Sequence, residues 1–126
     1  MHRIEVLDMI KLGYLSLTNS DGAVETRKKI RRLADNLGFS LIQATRLETI
    51  VYEICRLGCR QGKKLQIEVG LAPRGSRTAL ILNFQSSERI DAINGTDRFF
   101  DECHVEKGEG DDLRLSTVRF LPDSSR

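Results

Sequence analysis

Residues 40–60 read SLIQATRLETIVYEICRLGCR. Leu47, Ile50, Val51, Ile54, Cys55 and Gly58 recur at spacings of three and four, the period of a helix with one apolar face. Ser40 stands just ahead of the run, where a hydroxyl N-cap satisfies the first free amides. Arg46, Glu48, Glu53, Arg56 and Arg60 take the remaining surface. Glu53 borders the apolar stripe, and Leu57 lies one turn further along the same side. A carboxylate in that position is either a half-exposed group paired with Arg56 or Arg60, or a catalytic base with partners elsewhere in the chain.

Upstream, Val24, Ile30, Leu33, Ala34 and Leu37 mark a helix that starts at Asp21 and closes on Gly38 as its C-terminal cap. Its outer face carries Arg27, Lys28, Lys29, Arg31 and Arg32. Before it, Tyr14-Leu15-Ser16-Leu17 alternates ahead of the turn-prone Asn19-Ser20-Asp21-Gly22, which predicts a first strand. The Ile4–Ile10 segment fits a further strand or a short helix equally well.

Downstream, Gly62-Lys63-Lys64 is a turn, and Leu65, Ile67, Val69 and Leu71 alternate with polar residues as a strand with one buried face does. Pro73-Arg74-Gly75-Ser76 forms a second turn, and Thr78–Phe84 the returning strand of a hairpin. Glu88–Phe100 holds one short helix with Ile90, Ile93, Phe99 and Phe100 inward, weakened by Asn94-Gly95. Cys103–Lys107 and Leu113–Leu121 close the chain as a hairpin around Gly108-Glu109-Gly110-Asp111. The order strand, helix, helix, hairpin, short helix, hairpin predicts an α+β fold. It is a two-layer α/β sandwich whose mostly antiparallel, mixed sheet carries helices on one face.

The 126 residues fit one domain over 1–126, with the 40% hydrophobic and 30% charged content of an ordinary globular protein. No apolar run is long enough to cross a bilayer, and Arg3, Glu5, Asp8 and Lys11 interrupt the N-terminus. A cytoplasmic protein with reduced Cys55, Cys59 and Cys103 is expected, with no membrane association. The cysteines, His2 and His104 do not assemble a zinc-ligand spacing, so buried or half-buried thiols are the reading. Residues 1–77 hold 14 Lys or Arg against 8 Asp or Glu, and residues 78–126 hold 6 against 10. That asymmetry bears on partners rather than on fold. Aromatic residues are not interleaved with the basic row at 27–32, which argues against nucleic acid.

The stretch TRKKIRRLADNLGFSLIQATRLETIVYEICR, residues 26–56, resembles the first two helices of the anti-sigma-factor serine kinases, small members of the histidine-kinase-like (GHKL) ATPase superfamily. Leu37-Gly38-Phe39 matches the turn that ends their first helix, and Tyr52–Leu57 the site of their second-helix motif. The closing VEKGEGDDLRLSTVRFLP, residues 105–122, is similar to the family's end. The resemblance implies a HATPase-type scaffold with a shortened lid region. In the family a second-helix Glu acts as base, an Asn one turn later holds magnesium, and an Asp-x-Gly-x-Gly and a glycine-rich lid receive ATP.

Here Glu53 is the only retained catalytic candidate. Leu57 stands in the Asn position and has no oxygen for magnesium. The chain continues Asn83-Phe84-Gln85-Ser86-Ser87-Glu88 where the Asp-x-Gly-x-Gly belongs, leaving Asn83 or Gln85 as polar groups that could meet a base. Gln85–Arg98, with the single Gly95, is too short for a phosphate lid and its helix. The expectation is therefore a non-catalytic regulatory module that binds no cofactor. The resemblance implies a role in bacterial partner switching or stress signalling. Its partners would be a STAS-type anti-sigma antagonist, a sigma factor or a phosphatase. Arg27, Lys28, Arg31 and Arg32 are the candidate partner-binding residues, and an exposed sheet edge offers a route to a homodimer. The alternative is a divergent serine kinase that uses ATP, magnesium and Glu53 on a STAS-type domain.

Overall fold

In the computed structural model, which describes residues 9–92, 96–108 and 110–122, the central stretch forms α2 (Leu41–Gly58). The Gln43 amide donates to Ser40 Oγ while the Ser40 amide donates to Gln43 Oε1, a reciprocal capping box. Ala44, Leu47, Val51, Ile54, Cys55 and Gly58 are buried. Helix α1 (Ser20–Asn36) precedes it, capped by Asn19, whose side chain accepts from the Gly22 amide.

Gly38, at φ +84°, lets the chain leave α1 sharply. The Phe39 amide donates to the Ala34 carbonyl at 3.1 Å and the Gly38 amide to Asp35 at 3.2 Å, the two bonds of a Schellman motif. The helices then lie together as a hairpin. The buried stripe of α1 is Ala23, Thr26, Ile30 and Ala34, flanked by Leu33 and Leu37. Val24, assigned to that stripe by its apolar side chain, is 41% exposed. Counting back from Ile30 by four and then three reaches Thr26 and Ala23, which are smaller and permit close helix approach.

Strands β1 (Ile10–Leu17), β2 (Leu65–Arg74), β3 (Arg77–Ser86), β4 (Glu102–Lys107) and β5 (Leu113–Phe120) form one sheet in the order β1-β2-β3-β5-β4. Every pairing is antiparallel, so the sheet is not mixed. The reason lies in the helical hairpin. One helix runs out and the other back, so the chain re-enters the sheet where β1 left it, with Leu17 opposite Leu65. Ile10, at the end of a segment with two open readings, begins β1; residues 1–8 lie outside the described residues. The β2–β3 turn is only Gly75-Ser76, with Arg74 opposite Arg77. Gly75 at φ +65° gives the type II′ geometry that matches strand twist, so Pro73 and Arg74 belong to β2 rather than to the turn. After α2 the chain makes a 3₁₀ turn at Arg60–Gly62 rather than turning at 62–64.

Leu65, Ile67 and Val69 of β2, Leu80, Leu82 and Phe84 of β3, and Leu115 of β5 pack under the two helices as the main core. The region expected to hold one helix instead makes two single turns, a 3₁₀ turn at Ile90–Ala92 and α3 (Thr96–Phe99). Ile90, Phe99 and Phe100 are buried as expected, while Ile93, Asn94 and Gly95 lie outside the described residues. The fold is α+β: a two-layer sandwich with both long helices on one face of a five-stranded antiparallel sheet. Among the described residues no helix is long and apolar enough to cross a membrane.

Candidate functional site

Glu53 stands on the outer surface of α2. Its Oε2 accepts from Arg56 Nη1 at 3.4 Å, with both side chains about half exposed. Arg56 also lies over the Tyr52 ring, which Arg27 of α1 approaches to 5.2 Å from its guanidinium carbon. Leu57 is half-buried and Gly58 fully so.

The segment after β3 comes down on this end of α2. Ser86 Oγ donates to the Gly58 carbonyl at 3.0 Å and accepts from the Glu88 amide at 3.1 Å. Ile90 has no exposed surface, and Phe99 and Phe100 meet edge to face with ring centres 5.2 Å apart. From β5, Arg119 lies over the Phe99 ring at 4.5 Å and donates from Nη1 to the Phe99 carbonyl at 2.7 Å. The residues that follow β3 thus fill the space beside α2 with apolar side chains.

The nominated basic residues do not form one open cluster. Arg31 pairs with Asp35 of its own helix and with Glu48 of α2, each at 3.3 Å, and Arg27 leans on Tyr52. Lys28 pairs with Glu25 at 3.7 Å, leaving Arg32 exposed with no partner among the described residues. Cys55 and Cys59 are buried and Cys103 half-buried. Burial, with Cys59 nearby, pushes the Cys55 thiol up to about 12 despite a hydrogen bond with Thr26. Burial also raises Cys59, whose Sγ donates to the Leu17 carbonyl at 3.5 Å. Neither thiol is set up as a nucleophile. Among the described residues no cluster of three or more His, Cys, Asp or Glu could hold a metal ion.

Asn83 and Gln85 point away from α2. Strand alternation turns them to the helix-free face, where Asn83 Nδ2 donates to Glu68 Oε1 at 3.2 Å and Gln85 Nε2 to Asp112 Oδ2 at 3.1 Å. They lie in two polar rows that cross all five strands. One row is Tyr14, Glu68, Asn83, Ser116 and His104; the next is Ser16, Gln66, Gln85, Arg114 and Glu106. All of these but Ser16 line a groove of about 270 Å³. Towards the other end of the same face the residues turn apolar, with Met9, Ala72, Ala79, Ile81 and Val118 as a second small core.

Sequence reasoning missed this groove because it followed the apolar half of each alternating strand. The complementary signal was present in Gln66/Glu68, Asn83/Gln85, His104/Glu106 and Arg114/Ser116, polar pairs two residues apart on four strands. What was missing is register, which aligns them. No protein-family model matches the chain, and no curated protein sequence matches it.

Proposed function

We propose that this chain is a non-catalytic regulatory interaction module related to the anti-sigma-factor serine kinases, acting in bacterial partner switching or stress signalling in the cytoplasm. The observation that carries the reading is the packing of Ile90, Phe99 and Phe100 beside α2, with Leu57 in place of a metal-binding Asn. The element order fits the scaffold the resemblance implies. The side chains after β3 serve as core, so the scaffold can present surfaces to a protein, and the apolar packing of Ile90, Phe99 and Phe100 argues against a nucleotide at α2. The partner classes are a STAS-type anti-sigma antagonist, a sigma factor or a phosphatase, and the exposed basic side of α1 around Lys28 and Arg32 is the surface offered.

A thermal-shift titration with ATP and magnesium tests the non-catalytic half. A ligand that binds only the folded state must raise its melting temperature, so an unchanged melting curve is expected and clear stabilisation overturns it. Binding of purified STAS-type, sigma-factor and phosphatase domains, measured by calorimetry on native protein and on Lys28→Glu/Arg32→Glu, tests the other half. Reversal of these charges is expected to weaken the complex, and failure of all three domains to bind rejects the partner-switching assignment.

A further inference from the structure

The sheet ends on one side at β1 and on the other at β4, and the two edges are built differently. Strand β4 reads ECHVEK, with Glu102, Glu106 and Lys107 keeping water along its edge, a common guard against further pairing. Strand β1 reads IKLGYLSL and has one charge. That charge is not an edge guard, because Lys11 Nζ turns onto the helix-free face and pairs with Glu68 at 3.2 Å.

The β1 edge is also where apolar surface collects. Seven large apolar side chains are exposed among the described residues, and three of them are on β1: Ile10 at 68%, Leu12 at 47% and Tyr14 at 60%. No other strand has more than one. None of the three belongs to either core. Leu12 is there through a bulge: Lys11 faces Gly70 and Gly13 faces Val69, so Leu12 is an extra residue with no counterpart on β2. A bulge re-aims a side chain, and here the one re-aimed is apolar.

From these features we infer that β1 is a dimer interface, at which two copies of this chain join β1 to β1, antiparallel, into one continuous sheet. The occupant such an edge needs is an extended, nearly uncharged strand with apolar side chains, and β1 of a second copy is such a strand. The exposed stretch is 10–16, and a two-fold axis at its midpoint, Gly13, sets Leu12 of each copy opposite Tyr14 of the other. Aromatic and aliphatic residues opposed in this way stabilise a sheet. The same register sets Lys11 opposite Leu15, so no charge meets a like charge. Pairing consumes both β1 edges and leaves only the charged β4 edges outside, so assembly closes at two copies. The interface uses none of the basic residues assigned to a regulatory partner, so it stands or falls separately from that reading.

Sedimentation of the full chain over a micromolar to millimolar series tests it. The mass is expected to rise from one chain to two and stop there, with little dependence on salt because the contact is apolar and backbone-made. Amides of residues 10–16 should gain protection from hydrogen exchange as concentration rises, while those of 102–107 do not. Leu12→Lys/Tyr14→Lys is expected to leave a monomer at every concentration, with the melting temperature of dilute protein unchanged, since both side chains are exposed. Val105→Lys on β4 should dimerise as the native chain does. A single-chain mass throughout overturns the inference and leaves the edge to a strand from another protein. Dimers that survive Leu12→Lys/Tyr14→Lys also overturn it, as do growth beyond two copies, protection gained at 102–107 instead, or association lost on adding salt, which would mark the basic front meeting the acidic back.

Discussion

Ile90 lies over the one position of α2 that has no side chain, Gly58. A Cβ placed on Gly58 would stand 3.3 Å from Ile90 Cγ2 and 2.9 Å from Leu65 Cδ1. The missing side chain is what allows the segment after β3 to close on the helix. Ile90→Ala is expected to cost about 2–5 kcal/mol, the range for truncating a fully buried aliphatic residue. Gly58→Val forces the same contact apart from the other side and is expected to cost about 1–3 kcal/mol through overpacking. Urea unfolding of both variants checks this, and a loss below about 1 kcal/mol for Ile90→Ala would show that the segment is only loosely seated.

Arg119 holds the same segment from the sheet side. It stacks on Phe99 and donates to the Phe99 carbonyl. A planar guanidinium can do both at once, whereas the ammonium of lysine is a compact point charge. Arg119→Lys is therefore expected to be nearly as harmful as Arg119→Met, with each losing about 1–2 kcal/mol from the hydrogen bond and the cation–π contact. Hydrogen exchange at Phe100, whose amide bonds the Thr96 carbonyl, should accelerate in both variants. Unchanged exchange in Arg119→Lys would rule out the stacking role.

Helix boundaries were legible in the sequence because their determinants are local. Ser40 with Gln43, and Gly38 with Phe39, are caps made within a few residues, and the three-and-four spacing of Leu47, Val51, Ile54 and Gly58 names the buried face directly. In Ser86–Phe100 the inward-facing Ile90, Phe99 and Phe100 were legible but the two-turn path of the backbone was not, since Ile90 and Phe99 are placed by Gly58 and Arg119, far away in the chain. The groove failed for a related reason. Each strand showed its polar alternation, but only pairing aligns Glu68 with Asn83 and Ser116 with His104, and register is a property of the whole sheet. Glu53 borders the apolar stripe of α2, and the contact it makes there is with Arg56, three residues on.

That pairing gives Glu53→Gln a definite expectation. Both partners are about half exposed and lie on one helix, so the pair contributes no more than about 0.5 kcal/mol. Unfolding free energy should change by less than that amount, and the small difference should vanish at high salt as screening removes it. A large loss of stability would mean that the carboxylate has a partner beyond Arg56.

Cys55 supplies the pH dependence. In the unfolded chain its thiol ionises near its ordinary value of 9.0, while in the fold burial and the nearby Cys59 push it to about 12. Between those values the unfolded state gives up a proton that the folded state keeps. Stability contributed by this site is complete below about pH 9 and is lost progressively as pH rises towards about 12. Cys55→Ala removes the titration and leaves a small void facing Thr26. Lysines and tyrosines also titrate in this range, so the informative quantity is the difference between the two proteins. Native protein should be the more stable at pH 8, and its margin over Cys55→Ala should shrink by on the order of 1 kcal/mol at pH 10. Parallel urea-derived stability curves from pH 8 to 10 would contradict the burial argument, because a thiol open to water ionises alike in both states.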